Sequence, residues 1–414
     1  MIKRDCYLAK LRLLKNQDLI KVITGIRRSG KSTILELFKN ELLESGIKKS
    51  NIIFINFEER ENLHLTNWTA LYDEIIKKTG KDENYYVFLD EIQMVLNFEK
   101  MLNGLFVKKN IDLYVTGSNA LLLSGELSTL LTGRYIAINV TPYSFAEYRE
   151  AFGGEPNTDK LFRQYMNASH FPEAVNLSQS APGLVNDYIR SIYDTVINKD
   201  ISQRYKLRIA DNLKRVIDFV FNSIGSPVSA SNIAETLNKN SDKKISHNTI
   251  RSYLDYLCRS FVLYRAKRFD VKGKELLTTN EKFYLVDLGL RQITFENKFD
   301  SDLGHKLENV VYFELLRRGG EVFTGKNKDK EIDFMVQKNN YEREYYQVAY
   351  TVSNAQTLNR EIQAFKNIND NYPKYLLTLD FDNSSVNGIR KINVIDWLLA
   401  EASGQKPQSA AILA

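Results

Sequence analysis

The chain has 414 residues, 43% hydrophobic and 26% charged, and its 57 Lys and Arg against 51 Asp and Glu give a formal net charge of +6. This composition excludes a disordered or collagen-like chain and leaves room for two or three domains, each with its own core. Cys6 and Cys258 with four scattered histidines exclude a disulfide framework and offer no zinc-ligand pattern; with no apolar signal core and no membrane-length apolar run, the expected compartment is the cytoplasm and no membrane partner is expected.

Leu19 to Thr24 is a short β-branched strand. It runs into Gly25-Ile26-Arg27-Arg28-Ser29-Gly30-Lys31-Ser32, followed by Thr33, which is a complete GxxxxGK[ST] phosphate loop. From Lys31 to Ser45 the apolar residues Ile34, Leu35, Leu37, Phe38, Leu42 and Leu43 recur at helical spacing. Strand, loop and helix in this order turn backbone N–H groups and a helix N-terminus toward phosphate. Lys31 is then expected on the β- and γ-phosphates and Ser32 on Mg²⁺.

A second strand, near 51–57, precedes Tyr85-Tyr86-Val87-Phe88-Leu89-Asp90-Glu91, an apolar strand that ends in two carboxylates. On a buried parallel strand Asp90 emerges at the C-terminal edge beside the phosphate loop, where it would hold Mg²⁺. Glu91 is placed to polarise the attacking water. A further strand, Ile111 to Thr116, ends in Gly117-Ser118-Asn119, and Leu131-Thr132-Gly133-Arg134-Tyr135 leads into a fifth, near 135–140.

These stretches resemble AAA-type P-loop ATPases of bacteria and archaea that carry a C-terminal domain of uncharacterised function. The resemblance rests on residues 25–33, 88–93, 115–120, 131–135 and 141–148, and continues through 171–175 and 198–204 to about 380. It implies ATP as the nucleotide, a strand order 5-1-4-3-2, and a helical lid. It also implies that Asn119, or Ser118 beside it, acts as the sensor-1 residue. Arg134 corresponds to the arginine of the family's Gly-Arg motif, acting in its own site or in a neighbour's. The chain departs from its relatives at Ser169-His170, where they carry two glycines, and His170 reads as an ordinary loop residue.

The expected architecture is therefore α/β: an ATPase domain over 1–150, a helical lid or connector over 151–212, and further modules beyond. Residues 213–295 read as a winged helix. Leu213 to Ile224 is amphipathic, Ser229 and Ser246 are N-cap candidates, and Asn248 to Cys258 would present His247, Asn248, Thr249, Arg251 and Ser252 to a major groove of double-stranded DNA. Two strands, Leu263 to Arg268 and Phe283 to Val286, flank a basic loop, with Arg265, Lys267, Arg268, Lys272 and Lys274 available to phosphates. Residues 213–275 hold twelve Lys or Arg against six acids. A winged helix used for packing or protein contacts is the alternative.

Residues 296–400 resemble the restriction-endonuclease-like PD-(D/E)xK core, with Glu308 on a helix and Asp333 on a strand. The next strand carries Gln347 and Ala349, where such enzymes need a carboxylate and a lysine. The domain is expected to be a degenerate nuclease, a binding surface for a protein partner, with a frayed tail at 401–414. Three functions follow in order: an ATP-hydrolysing switch acting on DNA or a protein, a DNA-binding regulatory module with a slow or structural ATP site, and an ATP-dependent nuclease. The oligomeric state stays open.

Overall fold

The computed structural model describes residues 2–120, 131–207, 210–239, 241, 243–273, 275–294, 302–328, 330–338, 340–366, 368 and 370–400. The chain divides into two compact units, residues 1–142 with 259–261, and residues 143–258 with 262–414.

The first unit is built on five strands: β1 (Ile20–Thr24), β2 (Ile52–Asn56), β3 (Tyr85–Asp90), β4 (Ile111–Gly117) and β5 (Tyr135–Asn139). All neighbours pair in parallel, in the order β2-β3-β4-β1-β5, which is the expected 5-1-4-3-2 read from the other edge. Alternation along the strands gives each face its own core. Ile20, Val22, Val87, Leu89, Leu113 and Val115 pack with Leu71, Ile75, Met101, Leu102 and Leu105 from helices Trp68–Lys78 and Phe98–Phe106. On the opposite face Ile23, Phe88, Tyr114 and Ile138 pack with Tyr7, Leu8 and Leu11 of helix Asp5–Leu14 and with Ile34, Leu35, Phe38 and Leu42 of helix Lys31–Glu44. Covering both faces leaves only the sheet's edges for polar chemistry.

The second unit begins with helices Phe145–Ala151, Thr158–Tyr165, Pro172–Ser180 and Val185–Thr195, the last running into a π-helical stretch at Val196–Gln203. Helices Ala210–Asn222, Ala230–Asn238 and His247–Arg259 follow. The two expected caps are present: Ser229 Oγ accepts the Asn232 N–H at 3.1 Å and Ser246 Oγ accepts the Thr249 N–H at 3.1 Å. His170 is buried rather than on a surface loop. Its ring stacks on Tyr165 with centroids 3.7 Å apart, and burial depresses its pKa to about 3.

Strands β6 (Pro227–Val228), β7 (Leu263–Asp270), β8 (Glu275–Leu285), β9 (Glu321–Asn327), β10 (Lys330–Gln337), β11 (Arg343–Val348), β12 (Lys374–Thr378), β13 (Ser384–Val386) and β14 (Ile389–Asn393) form one sheet. Their order is β13-β14-β12-β11-β10-β9-β7-β8-β6. The hairpin β7–β8, the expected wing of a module ending at 295, is also paired along β7 with β9, in register Lys267↔Phe323 to Asp270↔Lys326. Backbone groups of β7 that a solvated wing would leave to water are taken up by a strand from beyond residue 296. The sheet thus runs through the expected boundary. Lys274 and the tail 401–414 lie outside the described residues.

Candidate functional site

The C-terminal edge of the parallel sheet gathers most of the expected site. Gly25 has φ +144°, and a Cβ there would lie 2.0 Å from the Val140 carbonyl oxygen, so only glycine fits where the loop leaves β1. Gly30 has φ +95° and serves as N-cap of helix Lys31–Glu44. Arg28 takes the left-handed conformation at φ +64° although it carries a side chain, and it is exposed, whereas Arg27 lies 3.6 Å from Glu58. From behind, the buried Arg4 guanidinium donates to the Ser29 carbonyl at 2.9 Å and to the Thr141 carbonyl at 2.7 Å. This brace was not legible in the sequence.

Lys31 is buried. Its Nζ donates to the Ile26 carbonyl at 3.2 Å and lies 3.7 Å from Glu91 Oε1. Asp90, 1% exposed, ends β3, where burial pushes its carboxyl above the usual carboxylate range while hydrogen bonds from the Thr116 and Ser32 hydroxyls oppose the shift. Ser32 and Asp90 are therefore neighbours, as a shared dication requires. Glu91 has φ +58°. The Thr116 hydroxyl accepts the Glu91 N–H at 2.8 Å and donates to Asp90 Oδ1, so one side chain of β4 fixes both acids. Sequence reading places the polar group of this strand at Ser118 or Asn119 and misses Thr116, as well as Gln93, whose Nε2 donates to Glu91 Oε2.

Thr24 pairs with Gly117 in the β1–β4 register, which sets the buried Ser118 and Asn119 beside the start of the phosphate loop. Arg134 is elsewhere. Its carbonyl accepts the Ile20 N–H at 2.8 Å, at the start of β1, and its side chain bonds Asn103 over the Phe106 ring. The length of β1, about 3.3 Å per residue, separates it from the loop that follows Thr24. The structure does not bring Arg134 into this chain's own site.

Buried polar atoms indicate what the edge is built for. Thr24 Oγ1, Ser29 Oγ, Ser118 Oγ and Gln93 Oε1 are buried without a hydrogen-bond partner, a concentration that folding alone disfavours. The Ser32 hydroxyl and Asp90 carboxylate are hard oxygen donors suited to Mg²⁺, and the loop with Lys31 is suited to phosphate, so these residues fit MgATP.

The second unit holds another charged cluster. Lys282 Nζ lies 2.9 Å from Glu308 Oε1, 2.5 Å from Glu331 Oε1 and 3.9 Å from Asp333 Oδ1, with the lysine side chain 4% exposed. Burial alone would depress the ammonium, but Glu308, Asp333 and Glu331 outweigh it and raise it above the ordinary lysine value. Burial and then Glu308 push the Asp333 carboxyl well up, with Lys282 opposing. Tyr284 donates to Glu308 Oε1 at 2.6 Å. Gln347 Oε1 accepts the Asp333 N–H at 3.3 Å, and its Nε2 donates to Glu361 at 2.9 Å. The motif places its lysine on the Gln347 strand, and sequence reading offers Lys330 or Lys338 as the replacement, whereas the lysine beside these acids is Lys282 of β8. Among the described residues no group of three or more His, Cys, Asp or Glu is arranged to hold a metal ion.

Of the residues expected on DNA, His247, Asn248, Arg251, Lys267 and Lys272 are exposed. Arg265 is occupied: it lies 2.5 Å from Asp255 and 3.3 Å from Glu281, with its guanidinium over Phe283. No helix among the described residues is long and apolar enough to cross a membrane.

Residues 17–149 match the family model described as an AAA domain, and residues 159–300 match a domain of unknown function. The chain is similar to an uncharacterized protein of Haemophilus influenzae, 38% identical over 404 residues, covering 96% of this chain and 99% of the relative. It is also similar to an uncharacterized protein of Methanocaldococcus jannaschii, 28% identical over 418 residues and covering 96% and 88%. A solved Walker-type ATPase of Pyrococcus abyssi superposes with TM-score 0.48 at 15% identity, covering 71% of this chain and 96% of that one. The chain belongs to the family of the Haemophilus influenzae protein, and it carries an AAA domain.

Proposed function

We propose that this AAA-domain protein binds MgATP through residues 25–33 and hydrolyses it, acting as a nucleotide-driven switch in the cytoplasm. The observation that carries this reading is the set of buried, partnerless hydroxyls of Thr24, Ser29 and Ser118 at the sheet edge that also holds Lys31, 3.7 Å from a carboxylate. Binding would exchange the Lys31–Glu91 contact for a contact between Lys31 and the β- and γ-phosphates. Glu91, released on Oε1, would take a proton from the attacking water, and its backbone is already fixed by Thr116. Gly25 to Thr33 cradle the phosphates with N–H groups, and Asn119 orients the water or senses the γ-phosphate. Mg²⁺, held by Ser32 and Asp90, supplies neutralisation of phosphate charge. Arg134, at the far edge of the sheet, suits a role toward a neighbouring copy better than toward its own site.

In this reading residues 151–212 are the lid, 213–295 a winged helix whose hairpin is built into a larger sheet, and 296–400 a degenerate nuclease-like domain that offers a surface to a protein. The exposed His247, Asn248, Arg251, Lys267 and Lys272 support contact with double-stranded DNA, as expected of the second reading, a DNA-binding module with a slow ATP site. The test is steady-state phosphate release with Mg²⁺ or with excess chelator, with and without duplex DNA, together with calorimetry on Lys31→Ala. Turnover that needs Mg²⁺, and a Kd for MgATP raised about 10- to 100-fold by removal of one charge-assisted hydrogen bond, are expected. Equal affinity in the variant would move the nucleotide elsewhere.

A further inference from the structure

Gln93 stands two residues beyond Glu91, in the short helical turn Ile92–Met94. It donates from Nε2 to Glu91 Oε2, while Glu91 Oε1 is the oxygen 3.7 Å from Lys31. The two carboxylate oxygens are thus divided between an amide and an ammonium. Phosphate competes for the ammonium, whereas the amide is uncharged and is bonded to the carboxylate within the same short turn. The backbone of Glu91 is fixed separately, by its N–H to Thr116 Oγ1 at 2.8 Å and by the Met94 N–H to its carbonyl at 3.1 Å. Only the side chain still needs orientation.

The orientation of the amide itself is informative. Gln93 Oε1 is buried and has no hydrogen-bond partner, so this side chain is not placed to satisfy its own polar groups. Turning the amide over would aim its carbonyl at a carboxylate and leave two acceptors facing each other. The residue type is also constrained. A lysine or arginine would neutralise the base, a glutamate would repel it, and a leucine would leave the carboxylate free to follow Lys31.

We propose that Gln93 is a positioning residue for Glu91, holding Oε2 so that Oε1 alone faces the water once Lys31 has turned to phosphate. This inference rests on the reading of Glu91 as the base. It is tested with Gln93→Leu and Gln93→Glu, which remove the donor with and without loss of polarity, each alone and combined with Glu91→Gln in the full chain. Both single variants should keep the MgATP Kd within about 2-fold and lower kcat by about 10- to 100-fold, the scale of a misplaced catalytic group. In the Glu91→Gln background neither should lower kcat further, because the group being positioned is gone. A folding defect would instead add to the loss and shift the thermal midpoint, and that result overturns the positioning role. Unchanged kcat in both single variants, with Glu91→Gln inactive, overturns the role of Gln93 and leaves the ATPase reading intact. A parent chain that binds MgATP and never turns it over overturns both.

Discussion

Lys31 in the first unit and Lys282 in the second are both buried beside carboxylates, and their surroundings differ. Lys282 has three acids within 3.9 Å, two of them at 2.9 Å or closer. Lys31 lies 3.7 Å from Glu91 and 3.2 Å from the Ile26 carbonyl, with partnerless hydroxyls near the same sheet edge. Full mutual satisfaction closes a polar cluster to ligands, because any newcomer must break interactions made in a low dielectric. Buried hydroxyls without partners leave a site that gains by binding. The comparison separates a place of chemistry from a place of structure, although both would look alike as a roll of Lys, Asp and Glu.

The largest expected effect sharpens the first half. Glu91→Gln should retain MgATP and lower turnover by about 10²-fold or more, since a general base contributes about 10²–10⁴. Single-turnover phosphate release alongside calorimetry checks it. Unchanged turnover would assign the base to another residue or make product release the slow step.

Lys282→Met tests the other half. Removing the cation leaves Glu308, Glu331 and Asp333 facing one another in a buried place, and breaking a buried pair in this way costs about 3–5 kcal/mol. The sign with pH follows from Asp333. Its folded carboxyl is raised well above the ordinary value, so its ionised form opposes folding, fully so above the folded pKa, and that cost disappears as pH falls toward the unfolded value. The loss of stability on Lys282→Met should therefore shrink in acid and be greatest at pH values above the acids' range but below the ordinary lysine value, past which the raised ammonium of the parent begins to lose its own contribution. Thermal melts across pH measure this, and a loss that grows in acid would contradict the charge account.

The phosphate loop and Asp90-Glu91 were legible because each is a contiguous run whose chemistry is local. The strand order came from resemblance, since pairing such as Val22↔Val115 joins residues far apart in sequence. Thr116, Gln93, Arg4 and Lys282 were not legible, and for three of them sequence distance is the reason. Thr116 acts on residues 25 and 26 positions away, Arg4 reaches Ser29 across 25, and Lys282 meets Glu308 across 26. Gln93 is only two residues from Glu91, but the turn that brings their side chains together carries no sequence signal of its own. For Arg134 the motif leaves its own site and a neighbour's both open, and parallel pairing of β5 with β1 puts its start away from this chain's phosphate loop. Arg265 looked free in a count of basic residues and is engaged by Asp255 and Glu281.

That last difference changes what a salt titration should read. Reversing Lys267, Arg268 and Lys272 to Glu should weaken duplex DNA binding and flatten its log–log salt dependence by about 0.9 for each phosphate no longer neutralised. Arg265 is left intact because reversing it would place a third acid beside Asp255 and Glu281 and confound binding with stability. An unchanged slope would exclude this face. No binding at low salt would favour protein contacts for the whole module.

The smallest expected effect is none at all, and it bears on the closed cluster. A nuclease needs a metal held by more than one acid and a group that prepares water. Glu308 is engaged by Lys282 and Tyr284, and Asp333 accepts the Val348 N–H at 2.8 Å and faces Lys282. Gln347, where a carboxylate is required, is bonded to Glu361 and to the backbone of Asp333. A dication entering here would have to displace an ammonium already matched to the acids. Linear, supercoiled and single-stranded DNA should therefore remain uncut with Mg²⁺ or Mn²⁺, with or without ATP. Cleavage that vanished in Asp333→Ala would reverse this, and would make Lys282 the lysine that prepares the water. Cleavage that persisted in Asp333→Ala would point to a contaminant rather than to this cluster. Lys282→Met should likewise fail to cut, because it removes the lysine that lies beside Glu308 and Asp333 and leaves no ammonium there to prepare water.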